Sequence, residues 1–239
     1  SFRNGSDKHY TQGLRLAWAS GERQKNPGAP DGDYEAIAEA LFFGAEDGAR
    51  IRYGIFVGQT FFTPDDLHRR DPDPRDRPYA GWLFVGANLY RETDAVLDRA
   101  EVTLGVVGPA AGGEEVQNAF HRYTGSFIGG SDVQGWGFQL RNEPGLILTE
   151  ERKWRLSAGD VAPFEIDFLP EINASLGNIF THGGIGGAVR IGQGLRADWG
   201  PPRIQPALPG SDFVNHRVFK ERAVAWYLFV GGEVRAIGR

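Results

Sequence analysis

The chain has 239 residues, with 26 Lys plus Arg against 31 Asp plus Glu and a net charge of -5, which excludes a basic nucleic-acid-binding protein as the default. It contains no cysteine, so a disulfide framework, a thiolate nucleophile and cysteine-held zinc are all ruled out. Hydrophobic content of 41% and charged content of 24% are ordinary for a folded protein, while 34 Gly and 12% aromatics point to a single all-β domain of short strands and turns.

Along the chain, residues 9–20 alternate, with Leu14, Leu16 and Trp18 on one face and Arg15 and Ala17 on the other. Residues 21–33 read as an exposed loop, and the Ala and Glu of 34–43 permit a helical turn. Alternation returns over 49–62 and ends in Thr63-Pro64. A charged loop over 65–76 then carries His68, Arg69, Arg70, Arg75 and five Asp. Strands are predicted over 83–89 and over 99–106, where Ala100, Val102, Leu104 and Val106 oppose Arg99, Glu101, Thr103 and Gly105. Residues 125–137 form a Gly-rich loop with Trp136. Further strands are predicted over 151–157, 164–176, 180–191 and 223–237, with a Pro-rich loop over 199–210 before the last.

Between the strand at 99–106 and the Gly-rich loop, Gly108-Pro109 and Gly112-Gly113 break the alternation, and the residues after them read as a short helix. Gln117 and His121 then stand at i and i+4 on one face, with Glu114 a turn earlier. An imidazole is the usual general base near neutral pH, and a neighbouring amide can orient a water or a carbonyl. A purely structural histidine is the alternative. There is no Gly-x-Ser-x-Gly elbow to support a serine nucleophile.

Strands with one apolar face occur in soluble sandwiches, lipocalin-like barrels and outer-membrane barrels. What separates them is the other face. Here Arg, Glu, Asp and Asn recur at successive inward positions, which a dry sandwich core cannot hold unpaired and a hydrogen-bonded lumen can. Trp18, Tyr90 and Trp226 near strand ends suit either interfacial girdles or a core. At roughly 9 to 11 residues per membrane strand, the length accommodates about 10 to 12 strands.

Several motifs taken together carry a resemblance. The run His9-Tyr10-Thr11-Gln12-Gly13, then Phe62-Thr63-Pro64, Asp76-Arg77-Pro78-Tyr79-Ala80-Gly81-Trp82, and Gly108-Pro109 through Gln117 to His121 occur in order. They are followed by Asn142-Glu143-Pro144, Leu176-Gly177-Asn178 and Asp198-Trp199-Gly200-Pro201-Pro202. Over nearly the whole chain this resembles the outer-membrane lipid A 3-O-deacylase family. The resemblance implies an antiparallel transmembrane β-barrel, twelve-stranded in the full family fold, with a short helix in an extracellular loop. It also implies a monomer in the bacterial outer membrane, among outer-membrane lipids, that hydrolyses the 3-O-linked acyloxyacyl group of lipid A in lipopolysaccharide with calcium. By the same carry-over His121 is the general base, and Gln117 and Thr11 are its companions in the site. A family lysine of the charged loop has no counterpart here, so Arg69 and Arg70 are the candidates for substrate phosphate. The metal ligands are not assigned, although Asp7, Thr11 and loop carbonyls are oxygen donors near the first motif. The resemblance further implies that 1–239 is a single barrel domain lacking the extreme N-terminus, with its Asn-Asp pair, and the last strands. Two rival readings differ in class: a non-catalytic outer-membrane barrel acting as a pore or surface-binding protein, and a soluble lipid-carrying barrel with its apolar faces turned inward.

Overall fold

The computed structural model describes residues 12–21, 23–24, 37, 40–42, 49–66, 69–128, 133–161, 163–200 and 224–238. Among them lie ten strands: β1 (Gln12–Ala19), β2 (Arg23–Gln24), β3 (Arg50–Phe62), β4 (Ala80–Glu92), β5 (Val96–Val107), β6 (Glu143–Trp154), β7 (Leu156–Val161), β8 (Phe164–Gly177), β9 (His182–Gln193) and β10 (Trp226–Ile237). Helix α1 (Gly113–Ile128) separates β5 from β6. The strands form one sheet in the order β1-β3-β4-β5-β6-β8-β9-β10, with β2 on β3 and β7 on β8. β8 pairs antiparallel with β6, β7 and β9, and β9 pairs antiparallel with β10.

The central strands β4, β5 and β6 run longer than the apolar alternation alone predicts. β4 extends three residues beyond the predicted 83–89 at each end, and β6 begins at Glu143, well before the predicted start at 151. Pro144 makes this start resemble a loop, but a proline is tolerated in the first residues of a strand. The turn into β5 is built by Thr93, whose Oγ1 accepts the N–H of Ala95 at 3.3 Å and of Val96 at 2.9 Å.

Burial along the strands is inverted relative to a water-soluble sheet. Leu14, Leu16, Ile55, Val57, Leu83, Val85 and Leu104 are exposed, the last at 54%, while Glu101 is only 4% exposed and Arg99, Thr103 and Asp167 are likewise buried. The period of two turns these apolar rows outward and these charged or polar rows inward, the arrangement a strand needs when its outer face meets hydrocarbon. Along β8, Phe168, Ile172 and Leu176 face out, and Asp167, Asn173 and Ser175 face in. The inward-facing expectation of a soluble carrier, apolar inside, is the opposite of this pattern.

Contacts divide the chain into two compact units, the first built on Phe56–Gly86 and Thr103–Leu146, the second on Ala87–Val102 and the strands from Ile147 onward. In the second unit the inward charges are paired. Arg190, fully buried, donates Nε to Asp167 Oδ1 at 2.9 Å and Nη2 to the carbonyl of Leu195 at 2.7 Å, and it also bonds Asp198. Lys153 Nζ lies 3.2 Å from Glu151 and 3.4 Å from Glu171, and Arg99 pairs with Glu101. Trp199 closes this interior, packing with Tyr90, Leu97 and Leu169 and donating Nε1 to Glu92 Oε1 at 2.9 Å. Tyr90 therefore belongs to a core cluster and not to a girdle, whereas Trp18 and Trp226 are exposed as girdle residues would be. On the outward face Ile51 and Leu89 escape exposure because Phe42 covers them. Its carbonyl is held by Arg91 Nη2 at 3.1 Å and Arg152 Nη2 at 3.3 Å, both arginines also bonding Asp98.

Spin labels at Leu16, Leu104 and Ile172 are expected to be quenched by a lipid-soluble agent, and labels at Thr103 and Ser175 to be protected from it. The reverse order in a power-saturation measurement would place the apolar rows inside.

Candidate active site

The segment that carries Gln117 and His121 is fastened before it becomes helical. After β5 the N–H of Gly108 donates to the carbonyl of Gly81 at 3.0 Å, and Pro109–Ala111 form a 3₁₀ turn whose Ala110 N–H is held by Asn142 Oδ1 at 2.8 Å. Gln59 on β3 donates Nε2 to the carbonyl of Ala111. Gly112 closes the turn at φ 66°, a left-handed conformation that a side chain would strain, and this redirects the chain into α1. Glu114 and Glu115 stand in the first turn, where carboxylates favour the positive end of the helix dipole. Glu114 is exposed there. Its place is that of a helix-end residue, away from the buried face.

Trp136, which the sequence places in a Gly-rich loop, lies in a second 3₁₀ turn, Gly135–Phe138, and is 1% exposed. It packs with Phe61, Tyr79 and Val133, its ring centroid 5.1 Å from that of Tyr79 and 6.5 Å from that of Phe61. A Cβ on Gly113 would stand 2.5 Å from Trp136 Cη2, so only glycine lets the indole lie this close to the first turn of α1. Trp136 Nε1 donates to Gln117 Oε1 at 2.8 Å. Because an indole N–H only donates, this bond settles which way the carboxamide points: oxygen to the indole, NH₂ away from it. Gln117 is 1% exposed, and its Nε2 has no hydrogen-bond partner among the described residues. His121 follows one turn later on the same helix, half-buried, its ring centroid 6.4 Å from that of Phe120.

Of the residues singled out from sequence, Gln117 and His121 are thus brought onto one short length of α1. Thr11, Asp7 and His68 lie outside the described residues. Arg69 and Arg70 are exposed in the loop before Tyr79, and the charge of Arg69 acts there on Asp73. That loop is ordered by its own acids. Hydrogen bonds from the Arg75 side chain, then from its backbone, hold Asp73 below the usual carboxylate range, and Asp76 accepts the N–H groups of Asp65 at 2.7 Å and Arg77 at 2.8 Å. Among the described residues no group of three or more His, Asp or Glu could hold a metal ion.

Two neighbours of Gln117 were not legible in the sequence. Trp136 orients Gln117, and Tyr79 supports Trp136, yet nothing in their spacing joins them to the helix. Tyr79 is fully buried with no partner for its hydroxyl; burial first, and the charge of Asp66 second, push its phenol up to about 12. A phenol raised in the folded state stabilises the fold below its unfolded value near 10, and that contribution is lost as pH rises toward 12. Tyr79→Phe is expected to remove the last tyrosinate absorbance step of an alkaline titration and to leave thermal stability at neutral pH equal or slightly raised, since no hydrogen bond is lost.

The family model described as outer membrane protein LpxR matches residues 1–239. A search of curated proteins finds no match. Among solved structures the chain is similar to LpxR from Salmonella typhimurium, at 21% identity and a TM-score of 0.69, over 97% of this chain and 67% of that one. A likeness at that identity shows the fold, and the fold is the all-β antiparallel barrel of an outer-membrane protein. With the family model spanning every residue, this chain belongs to the outer membrane protein LpxR family.

Proposed function

We propose that the protein is a lipid A 3-O-deacylase, a carboxylic ester hydrolase that releases the 3-O-linked acyloxyacyl group of lipopolysaccharide, with His121 as general base. The observation that carries this reading is the Gln117 amide. Its oxygen is committed to Trp136 and its buried NH₂ is left without an acceptor, an arrangement that costs about 1–3 kcal/mol and that Leu or Met at this position would avoid. An amide donor left over one helical turn from an imidazole can serve an ester hydrolase for the oxygen of its substrate.

In this mechanism the ester carbonyl is presented beside α1, and a ring nitrogen of His121 takes a proton from water as the water oxygen bonds to the carbonyl carbon. The carbonyl electron pair moves to oxygen, which accepts an N–H from Gln117. When the intermediate collapses, the bond to the sugar 3-oxygen breaks, and the imidazolium returns its proton to that oxygen. The fatty acid and the free 3-hydroxyl are the products. Arg69 and Arg70 are proposed to meet the lipid A phosphates by forked hydrogen bonds, for which their exposed position leaves them available. Thr11 belongs to the proposed site through the resemblance.

Calcium enters only by the same route. The described residues gather no set of ligands that fits it, so no step is derived through the ion. Excess chelator is expected to leave heat-modifiable gel mobility unchanged; full acyl release in chelator would remove calcium from the reading. The rival of a non-catalytic barrel is separated by the reaction itself.

Acyl release from lipid A in detergent or outer-membrane vesicles tests the assignment. His121→Ala is expected to lose about 10²- to 10⁴-fold in rate, as removal of a general base does. Gln117→Ala should lose less, and Glu114→Ala least. Trp136→Phe, which frees the amide to rotate, should lower kcat with KM nearly constant. A folded His121→Ala protein with near wild-type turnover would return the non-catalytic barrel to first place.

A further inference from the structure

In the second unit the turns around β4, β7, β8 and β9 enclose an open cleft of about 660 Å³, lined among others by Asp94, Arg155, Phe164, Glu165, Asp167 and Arg196. It is a polar site with apolar walls, of the size that takes a small ligand or a headgroup.

The three carboxylates of this cleft are already engaged. Asp94 Oδ1 accepts from Arg50 Nη1 at 3.4 Å and Nη2 at 3.3 Å. Both oxygens of Asp167 are taken by Arg190. Glu165 receives the backbone N–H groups of Gly194 at 3.0 Å and Leu195 at 3.1 Å. The two guanidinium groups are not matched in this way. Arg196 is exposed and makes no hydrogen bond or ion pair among the described residues. Arg155 has a side chain only 9% exposed, stacked 4.0 Å over the Trp199 ring, and its Nη2 donates to the carbonyl of Asp198 at 2.6 Å. Its Nε has no hydrogen bond, and the nearest carboxylate, Asp167 at 3.9 Å, is the one held by Arg190. Burial first, and the charges of Arg190 and then Arg196, lower Arg155 to about 10 against the pull of Asp167 and Glu92. Arg155 is thus a buried cation beside two others, with an Nε donor left over after the neighbouring carboxylates have taken other partners.

We propose that this cleft binds the phosphate of a glycerophospholipid between Arg155 and Arg196, with the glycerol end of an acyl chain against Phe164 and Ile166. Guanidinium groups match phosphate oxygens with forked, charge-assisted hydrogen bonds. The lipid, as distinct from free phosphate, is indicated by the wall: Phe164 begins the outward row of β8 that continues through Ile166 and the exposed Phe168 and Ile172. Phe164 also meets Trp226 edge-on at 5.9 Å, and aromatic rings at strand ends mark the headgroup level of membrane barrels. The site lies apart from Gln117 and His121 in sequence and in the residues that form it, and it goes beyond the deacylase reading.

Native mass spectrometry of the purified protein, with dioleoylphosphatidylglycerol added to a non-ionic detergent, tests this. Wild-type protein is expected to retain one phosphatidylglycerol per chain, with Arg196→Ala weakening retention about tenfold, the worth of one charge-assisted contact. Arg196→Glu should abolish it. Because Arg196 has no partner to lose, both variants should keep heat-modifiable mobility even if Arg155→Ala does not fold. Diacylglycerol with the same chains and no phosphate should not compete, and inorganic phosphate alone should not displace the lipid. Equal retention by wild type, Arg196→Ala and Arg196→Glu would overturn the proposal, as would displacement by inorganic phosphate at matched concentration. Acyl release from lipid A in detergent is expected to be unchanged in Arg196→Ala, so that this site and the hydrolase assignment fail separately.

Discussion

Ion pairs inside the sheet's inner face are the constraint on which the other features rest. A strand that turns Leu, Val and Ile toward hydrocarbon must turn its alternate residues the other way, and in the second unit many of those alternates are charged. Removing one partner of such a buried pair typically costs about 3–5 kcal/mol, because an uncompensated charge is left behind. The inner face is accordingly knitted across strands. Arg190 on β9 holds Asp167 on β8 and Asp198 beyond β9, and Lys153 on β6 holds Glu171 on β8. The register of these strands is fixed twice, by backbone ladders and by the charges, since a slip of one residue would carry Asp167 and Arg190 to the lipid face.

Aromatic packing accompanies the ion pairs of the second unit. Trp199, hydrogen-bonded to Glu92 and stacked under Arg155, packs there with Tyr90, Leu97 and Leu169. In the first unit the helix is held by contacts of its own. α1 is tied down at Gly108, Ala110 and Ala111 before its first turn, and Trp136 is wedged against Gly113. These contacts fix the first turns of α1, which is the condition for the donor role proposed for Gln117.

The helix also carries a residue that is poor for stability at the place where the proposed chemistry would use it. Gln117 is buried, spends its oxygen on Trp136 and leaves its nitrogen unsatisfied. Tyr79, behind Trp136, buries a hydroxyl with no partner. Local costs of this sort gather at functional sites, where the surrounding packing over-determines them.

The alternation of apolar and charged residues at 99–106 and 164–176, the glycine breaks around Pro109, and the i, i+4 spacing of Gln117 and His121 were all legible in the sequence by itself. They fall where predicted because periods of 2 and 3.6 are local consequences of backbone geometry. The inward direction of the charges followed too, since an unpaired charge has few places to go. What only the tertiary structure decided is everything that depends on partners distant in the chain. It extended β6 back to Glu143, sent Tyr90 to a core instead of a girdle, and covered Ile51 and Leu89 with Phe42. It also chose Trp136, nineteen residues on from Gln117, as the group that orients the amide. No periodicity encodes such a pairing. A donor-only indole finds an acceptor because two loops are folded onto one helix, and that depends on long-range packing.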